Sequence, residues 1–435
     1  MSAIAVFGQE TSGSIEGFVK DSTGAVVPNV SITISTSRAS TSNTTTTGIG
    51  AGFKRTVTTN ENGFFRVLQV PPGIYDVTSA AVSGFGEVKL ENVTVAIGQS
   101  TQLNLVARPS GDVSTVDVTV SDAPPVDTTN NAIQTTINAQ KIELIPKSNG
   151  FTGILKTVPG TRPESRSAGF SVDGASGGEN VFVIDGQEVT NYRTGTLNST
   201  FDLPTSLVQE VQVKSSGFEA AFGGATGGVV SVVTRGGNND FHGEFGIQFE
   251  PADWAGTPAP LLTRFTSGTV GAGTFKQTAE YFNPQKSGGT NFFPTANLSG
   301  PVIKDRLWFF GSYSPQIYET DVNTQYFTDQ PAATRTFITS ENYRRTTRYE
   351  YAFGRIDANP FDNLRLTGTY LWNPTITEGS IPGTSFSNVT SSAFGFNNVP
   401  TANFGGTTGV LRGNQYTNQQ GGIQTSNLVT FSGVY

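Results

Sequence analysis

"GGATGGVVSVVTRGG", Gly223 to Gly237, places the most flexible residue type directly against the stiffest. Val229, Val230, Val232 and Val233 form a β-branched run suited to a buried strand. Gly-rich loops often cradle phosphates, but no Lys-Ser or Lys-Thr of a P-loop follows, so a nucleotide site is not implied. The flanks have to explain the glycines.

Composition narrows the field first. The chain has 435 residues, enough for two to four domains of ordinary core size. Charged residues make up 14%, well below the roughly 25% of an average soluble protein. Thr, Asn, Gly and aromatic residues take their place, which suits extended, all-β structure. No run of ~18 apolar residues could span a bilayer as a helix, so a membrane role would have to use a β-barrel, whose strands alternate. The net charge of −7 argues against a nucleic-acid partner. With no cysteine, disulfide scaffolds, thiolate metal sites and Cys nucleophiles are excluded. The opening "MSAIAVFGQE" reads either as the tail of a secretory signal, residues 1–10, or as a plain N-terminus.

Upstream of the glycine stretch, residues 11–107 alternate like a β-sandwich, clearest in "NVSITIS", "NVTVAI" and "QLNLVA". Turn formers at Asp21–Gly24, Asn60–Gly63, Pro71–Gly73 and Gly84–Gly86 separate the runs. The Ser/Thr-rich insert "STSRASTSNTTTTGIGAG" reads as a loop. Residues 108–122 are a linker with a β-prone centre, Thr115, Val116, Asp117, Val118, Thr119 and Val120. From 123 to 237 the pattern mixes short helical turns ("AQKIELIPKSNGFTGILKTVPG") with short strands between Gly turns, and a small helix is expected near Pro204–Val208.

Downstream, residues 238–435 change again. "LRLTGTYLW" sets Leu364, Leu366, Tyr370 and Trp372 on one face and Arg365, Thr367 and Thr369 on the other, as a transmembrane barrel strand requires. The short turn "NPFDN", Asn359–Asn363, joins it to "RYEYAFGRIDA"; "LSGPVIKDRLWFFGSY" reads as a second tight hairpin turning at Lys304 and Asp305. Long Asn/Gly/Thr-rich segments alternate with these turns. That asymmetry belongs to outer-membrane barrels.

Catalytic chemistry has little to stand on. His242 is the only histidine and sits at an ordinary strand position, and no G-x-S-x-G elbow is present. Asp173-Gly174 and Asp185-Gly186 read as Asp-Gly turns rather than metal loops. The chain is read as a non-enzyme with no cofactor and no metal. On the sandwich, Phe64 and Phe85 are the candidates for an exposed aromatic platform of the kind that binds sugar.

Two resemblances follow from these residues. "GFVKDSTGAVVPNVSITI" with "TTNENGFFRVLQVPPGIYDV" resembles the carboxypeptidase regulatory-like domain, a carbohydrate-binding-like fold whose matching positions are turn formers and inward-facing strand residues. "NVFVIDGQEV", Leu207 through Phe245 and "LSGPVIKDRLWFFGSY" resemble TonB-dependent receptors of the Oar-like branch. There a regulatory-like sandwich precedes a plug and a large β-barrel. The resemblance implies a mainly β protein: Ig-like sandwich, α+β plug, then the first strands of a transmembrane antiparallel barrel. It also implies a bacterial outer-membrane location with sandwich and plug on the periplasmic side, contact with membrane lipid, and import of a large or scarce solute, with saccharides and peptides considered.

The most specific part of this resemblance is Asp185 and Gly186, then Gly223, Gly227, Gly228, Arg235 and Gly236, read as structural positions of the plug. Gly223, Gly227 and Gly228 would allow close backbone approach and positive-φ turns, and the valines a strand packed on both faces. Residues 115–120 are the candidate TonB box, captured by a TonB-type inner-membrane energy-coupling protein through strand addition; a last sandwich strand is the other reading. About 22 strands are expected of such receptors, so the sequence reads as an N-terminal fragment. An outer-membrane adhesion or signalling anchor is the second functional class.

Overall fold

A computed structural model describes residues 11–37, 52–82, 84–109, 114–116, 132–145, 149–164, 169–218, 222–257, 259–267, 276–282, 286–327, 337–361, 364–379, 381 and 421–434. The N-terminal leader assignment (1–10), most of the Ser/Thr-rich insert and Asp117–Val120 of the candidate box lie outside these.

The sandwich forms as its alternation requires. One sheet has the order β4-β1-β7, from β1 (Gly13–Asp21), β4 (Phe64–Val70) and β7 (Ser100–Ala107). The other runs β3-β2-β5-β6-β8, from β2 (Ser31–Thr36), β3 (Lys54–Thr58), β5 (Gly73–Ser79), β6 (Val88–Val95) and β8 (Ser114–Val116). Every second residue faces inward, so Ile15, Val19, Ile32, Ile34, Val93 and Val95 meet in one core. Tyr75 is fully buried there, and its hydroxyl donates to Pro71 O at 2.6 Å, which removes the cost of burying it. The turns are set by side chains: Asp21 Oδ1 accepts from Thr23 N and Ala25 N, and Asn60 Oδ1 from Asn62 N and Phe64 N. Of the two platform candidates, Phe85 packs against the core instead, while Phe64 stacks against Phe18 with ring centroids 5.2 Å apart.

The plug is a mixed sheet of order β13-β12-β17-β16-β9. Its first members are β9 (Ile133–Asn138), β12 (Val181–Ile184) and β13 (Gln187–Glu188). The other two are β16 (Val208–Ser216) and β17 (Val229–Thr234). Two small hairpins flank it: β10 (Thr161–Pro163) with β11 (Phe170–Val172), and β14 (Thr190–Asn191) with β15 (Thr196–Leu197). The helical turns expected from sequence are α1 (Ala139–Leu144), capped by Asn138 Oδ1 accepting from Lys141 N, and α2 (Thr152–Leu155). A 3-10 turn spans Thr205–Leu207. β17 lies between β12 and β16, and all six of its residues are buried. Val230 and Val232 face the core of Ile142, Ile154, Leu155 and Phe182, while Val229 packs on Phe222 on the other face. This is why the run is continuous rather than alternating.

Beyond β17 the chain enters a wall. Its strands are β18 (His242–Pro251), β21 (Thr290–Ile303), β22 (Leu307–Tyr313), β23 (Gln316–Phe327), β24 (Phe337–Tyr349) and β25 (Ala352–Phe361). They continue with β26 (Leu364–Trp372), β27 (Thr375–Gly379), β28 (Gly421–Gln424) and β29 (Asn427–Val434). A separate hairpin joins β19 (Leu261–Ser267) to β20 (Lys276–Phe282). The turn at Lys304–Asp305 is as expected, with Asp305 at φ 62. At "NPFDN" the ladder shifts register after Ala358 and resumes at Phe361↔Leu364, so pairing runs into the stretch read as a turn.

Register sorts the wall into two faces. Along one row Ala296, Tyr313, Ala352, Trp372 and Asn427 are neighbours. The next row of that face is Leu298, Gly311, Gly354, Tyr370 and Val429; the third is Gly300, Phe309, Ile356, Gly368 and Phe431. This face is apolar, with Tyr and Trp gathered toward one end, the pattern a lipid-facing band requires. The opposite face carries Ser299, Phe310, Arg355, Thr369 and Thr430 in one row, and Trp308, Asp357, Thr367 and Ser432 in the next. Phe310, Tyr351, Phe353 and Leu371 from this inner face join the plug's own core. Plug and wall therefore share one apolar interior.

Candidate functional site

The site is where the plug meets the wall. Two of the sequence-derived plug positions build its centre. At Asp185 and Gly186 the backbone takes φ 47 and 80, a turn with two positive φ values, as does Asp173-Gly174 with 48 and 89. The turn brings the Asp185 carboxylate to the end of β17, where Oδ1 accepts from Thr234 N at 2.9 Å and Oδ2 from Thr234 Oγ1 at 2.7 Å. From the wall, Arg355 Nη1 donates to Thr234 O (3.3 Å) and Thr234 Oγ1 (3.2 Å) and lies 3.7 Å from Asp185 Oδ1.

Arg355 is in turn held in a fork by Asp357, through Nε to Oδ2 at 2.8 Å and Nη2 to Oδ1 at 3.1 Å. Asp357 Oδ1 also accepts from Thr367 Oγ1 at 2.8 Å and Arg365 Nη2 at 3.2 Å. Arg355 and Asp357 are two apart on β25, so both point to the inner face. Burial drives the Asp185 carboxyl above the usual carboxylate range; Arg355 and the Thr234 hydrogen bonds oppose that rise. Arg355, Asp357 and Thr234 are buried and bonded to one another, so removing one member strands the others.

Arg235 makes a second tie. Its buried guanidinium lies 3.6 Å from Glu143 of α1 and 3.6 Å from Glu244 of β18, and Nε donates to Val208 O at 3.3 Å. Next to it, a Cβ on Gly237 would fall 2.6 Å from Phe309 O and from Trp308 Cβ, so the exit from the plug runs flush with the wall. A third tie holds the loop before β16: Tyr351 donates its hydroxyl to Asp202 O at 3.1 Å, and Asn373 Nδ2 to Thr200 O at 2.6 Å. Within that loop Asp202 accepts from Thr152 N and Oγ1, and burial raises its carboxyl.

The glycines at 227 and 228 depart from expectation in one respect. Neither has positive φ. They serve close approach alone: a Cβ on Gly227 would lie 2.7 Å from Asn180 Oδ1, and one on Gly228 2.8 Å from Val172 Cγ1. Gly223 likewise has no positive φ, and it lies in the turn before them. Gly236 lies between Arg235 and the exit at Gly237. His242 opens β18 opposite Ser299 and is exposed, and its side chain makes none of the ties described above.

The sandwich makes its own junction with the plug. The turn after β6 puts Ile97 against Val233; Ile97 N donates to Glu210 Oε1 at 2.8 Å, and Gln212 Nε2 donates to Ile97 O. Glu210 is buried without a cation among these partners, and burial pushes its carboxyl up to about 8. Near the wall's short turns, Gly52 of the sandwich sits where a Cβ would clash with the Trp308 ring at 2.1 Å. Sequence reading missed Arg355, Asp357, Glu210 and Ile97 as site residues. The one available signal was an Arg-x-Asp pair on the polar face of a barrel strand in a charge-poor chain.

Comparison with known proteins fits this geometry. Residues 14–108 match the carboxypeptidase regulatory-like domain, and residues 125–229 match the TonB-dependent receptor plug domain. The chain is 27% identical over 271 residues to the TonB-dependent transporter Oar of Myxococcus xanthus, covering 60% of this chain and 24% of that protein. It is 25% identical over 149 residues to the ferrienterobactin receptor of Escherichia coli (strain K12), covering 30% of this chain and 20% of that one. The chain thus spans about a quarter or less of these relatives.

Among solved structures it is similar to the outer membrane transporter YddB of Escherichia coli, with a TM-score of 0.40 and 18% identity over 56% of this chain and 33% of that one. It is also similar to a ferric enterobactin receptor of Pseudomonas aeruginosa, with a TM-score of 0.38 and 16% identity over 57% and 34%. The chain carries the regulatory-like and plug domains of a TonB-dependent outer-membrane receptor and is homologous to such a transporter.

Proposed function

We propose that this chain, homologous to a TonB-dependent transporter and carrying a plug domain, serves active uptake of a large or scarce solute across the bacterial outer membrane. The observation that carries the reading is the plug latched through Asp185, Thr234 and Arg355 to the inner face of a wall whose outer face suits lipid. A plug fixed in this way blocks passage, so transport needs work delivered to it from outside.

That work comes from a TonB-type inner-membrane partner that adds a strand to an extended segment of the linker, Thr115–Val120. Thr115 and Val116 lie in β8. The domain division that goes with this reading is 11–107 for the sandwich, 108–122 for the linker, 123–237 for the plug and 238–435 for the wall. Three solute classes are to be screened: saccharides, peptides and, from the name of the Escherichia coli relative, ferric enterobactin.

The test is Val118→Pro in the full-length protein, because proline removes a backbone donor from any added strand. Energised accumulation of a screened solute should be lost while its binding to the cell surface is unchanged. Unchanged accumulation would sink the linker assignment.

A further inference from the structure

Ile97, in the turn between β6 and β7, is fully buried yet belongs to neither large core. Its side chain packs on Val233 of the plug. Both polar groups of its backbone also leave the sandwich: the N–H donates to Glu210 Oε1 at 2.8 Å, and the carbonyl accepts from Gln212 Nε2. Glu210 and Gln212 are two apart on β16, and Val233 lies opposite Glu210 on β17, so all three share one face of the plug sheet. Val211 and Val213, on the other face, serve the plug's own core. The result is a clip for one residue, and Val233 is followed directly by Thr234 of the latch. The sandwich also reaches the wall, where Gly52 lies flush on the Trp308 ring and its carbonyl accepts from Asn359 Nδ2 at 3.5 Å. Among the described residues the apolar part of the clip is Ile97 and Val233 alone, and the sandwich core holds no plug residue. A small, largely polar contact between two separately cored units is reversible, because water can take over each hydrogen bond on release.

We propose that the sandwich is an inhibitory clamp on the plug: at rest it bridges wall and plug, and Ile97 must leave the clip before β16 and β17 can move. The proposal rests on the reading of the chain as an energised transporter and adds a regulatory part for the sandwich. With Gly52 seated on the wall, any shift of β16 and β17 against that wall draws Glu210, Gln212 and Val233 away from Ile97. The clip and the latch at Thr234 therefore restrain the same pair of strands, one from the sandwich and one from the wall.

The 435-residue sequence has no cysteine of its own, so Ile97→Cys and Val230→Cys are placed singly in a full-length protein otherwise free of cysteine. Both positions are buried, Ile97 in the clip and Val230 in the plug core, so each thiol reacts with a small maleimide only when its cover opens. Labelling is timed in whole cells supplied with saccharides, peptides and ferric enterobactin, with and without a protonophore. Slow labelling of Val230→Cys in de-energised cells shows that the variant is folded. We expect energised cells to label both positions about tenfold faster, and Ile97→Gly to speed energised labelling of Val230→Cys about threefold more. Rapid labelling of Ile97→Cys in de-energised cells means an open clip at rest and overturns the proposal. Either position responding to energy without the other also overturns it; where that position is Val230→Cys, the transporter reading still stands. If neither responds, the transporter reading has failed and the clamp with it. A Val230→Cys rate unchanged by Ile97→Gly means that the clip restrains nothing, and the clamp falls alone.

Discussion

β17 and β8 are both short β-branched runs between glycine or polar flanks, and they behave oppositely. Val229–Thr234 pairs on both sides and is buried at every position, with Thr234 tied to Asp185 and to Arg355 of the wall. Among the described residues, Ser114–Val116 pairs on one side only, with Val88–Leu90 of β6. A run of valines is therefore not what fixes a strand in place. Its second neighbour and the polar groups at its end do that.

The largest expected effect breaks the fixed end. Arg355→Met leaves Asp185 without its only guanidinium among the groups described above and removes the fork that holds Asp357. Uncompensated buried charge costs about 3–5 kcal/mol. Thermal unfolding of the detergent-solubilised protein should fall accordingly, with the plug becoming sensitive to protease before the wall does. A wall and plug that melt together at the parent temperature would mean that the apolar interior, not the latch, holds β17.

Gly228→Val probes the same strand from its other end. The added side chain meets Val172 at 2.8 Å, so Val172 or the backbone has to shift. Overpacking of this kind costs about 1–3 kcal/mol. The variant should assemble less plug into the wall and keep its solute preference. Normal folding with selective loss of one solute would make this stretch a binding surface.

Much of the fixed region was legible in sequence, and the reasons are local. The continuous valine run requires two covered faces, and the Asp-Gly pairs require positive φ, so both could be read from a few neighbouring residues. The role of Gly227 and Gly228 was only half legible, since a turn and a close contact both demand the absence of Cβ and look the same in sequence. The latch was not legible: Arg355 and Asp185 are 170 residues apart, and nothing local says that a strand's inward arginine will find a turn aspartate. The linker stayed ambiguous because the alternation of Thr115–Val120 fits an edge strand and a transferable segment equally well.

The smallest effects concern pH, and they separate two residues that a sequence reader would confuse. Between pH 5 and 8 the residue to suspect is ordinarily a histidine, and His242 is the only one. It is exposed on β18, so His242→Ala should change stability by no more than about 0.5 kcal/mol. Glu210 is the better candidate, because burial against Ile97 raises its carboxyl from 4.5 to about 8. A folded state that holds its proton more tightly than the unfolded chain is favoured at low pH. The stabilisation is complete below about 4.5 and is lost as pH rises toward about 8. Glu210→Gln keeps an acceptor for Ile97 N and cannot ionise. Relative to the parent it should be neutral near pH 4 and more stable near pH 8. Urea unfolding followed at the sandwich–plug junction across that range decides the matter: a pH slope that survives Glu210→Gln would move the titration away from the junction.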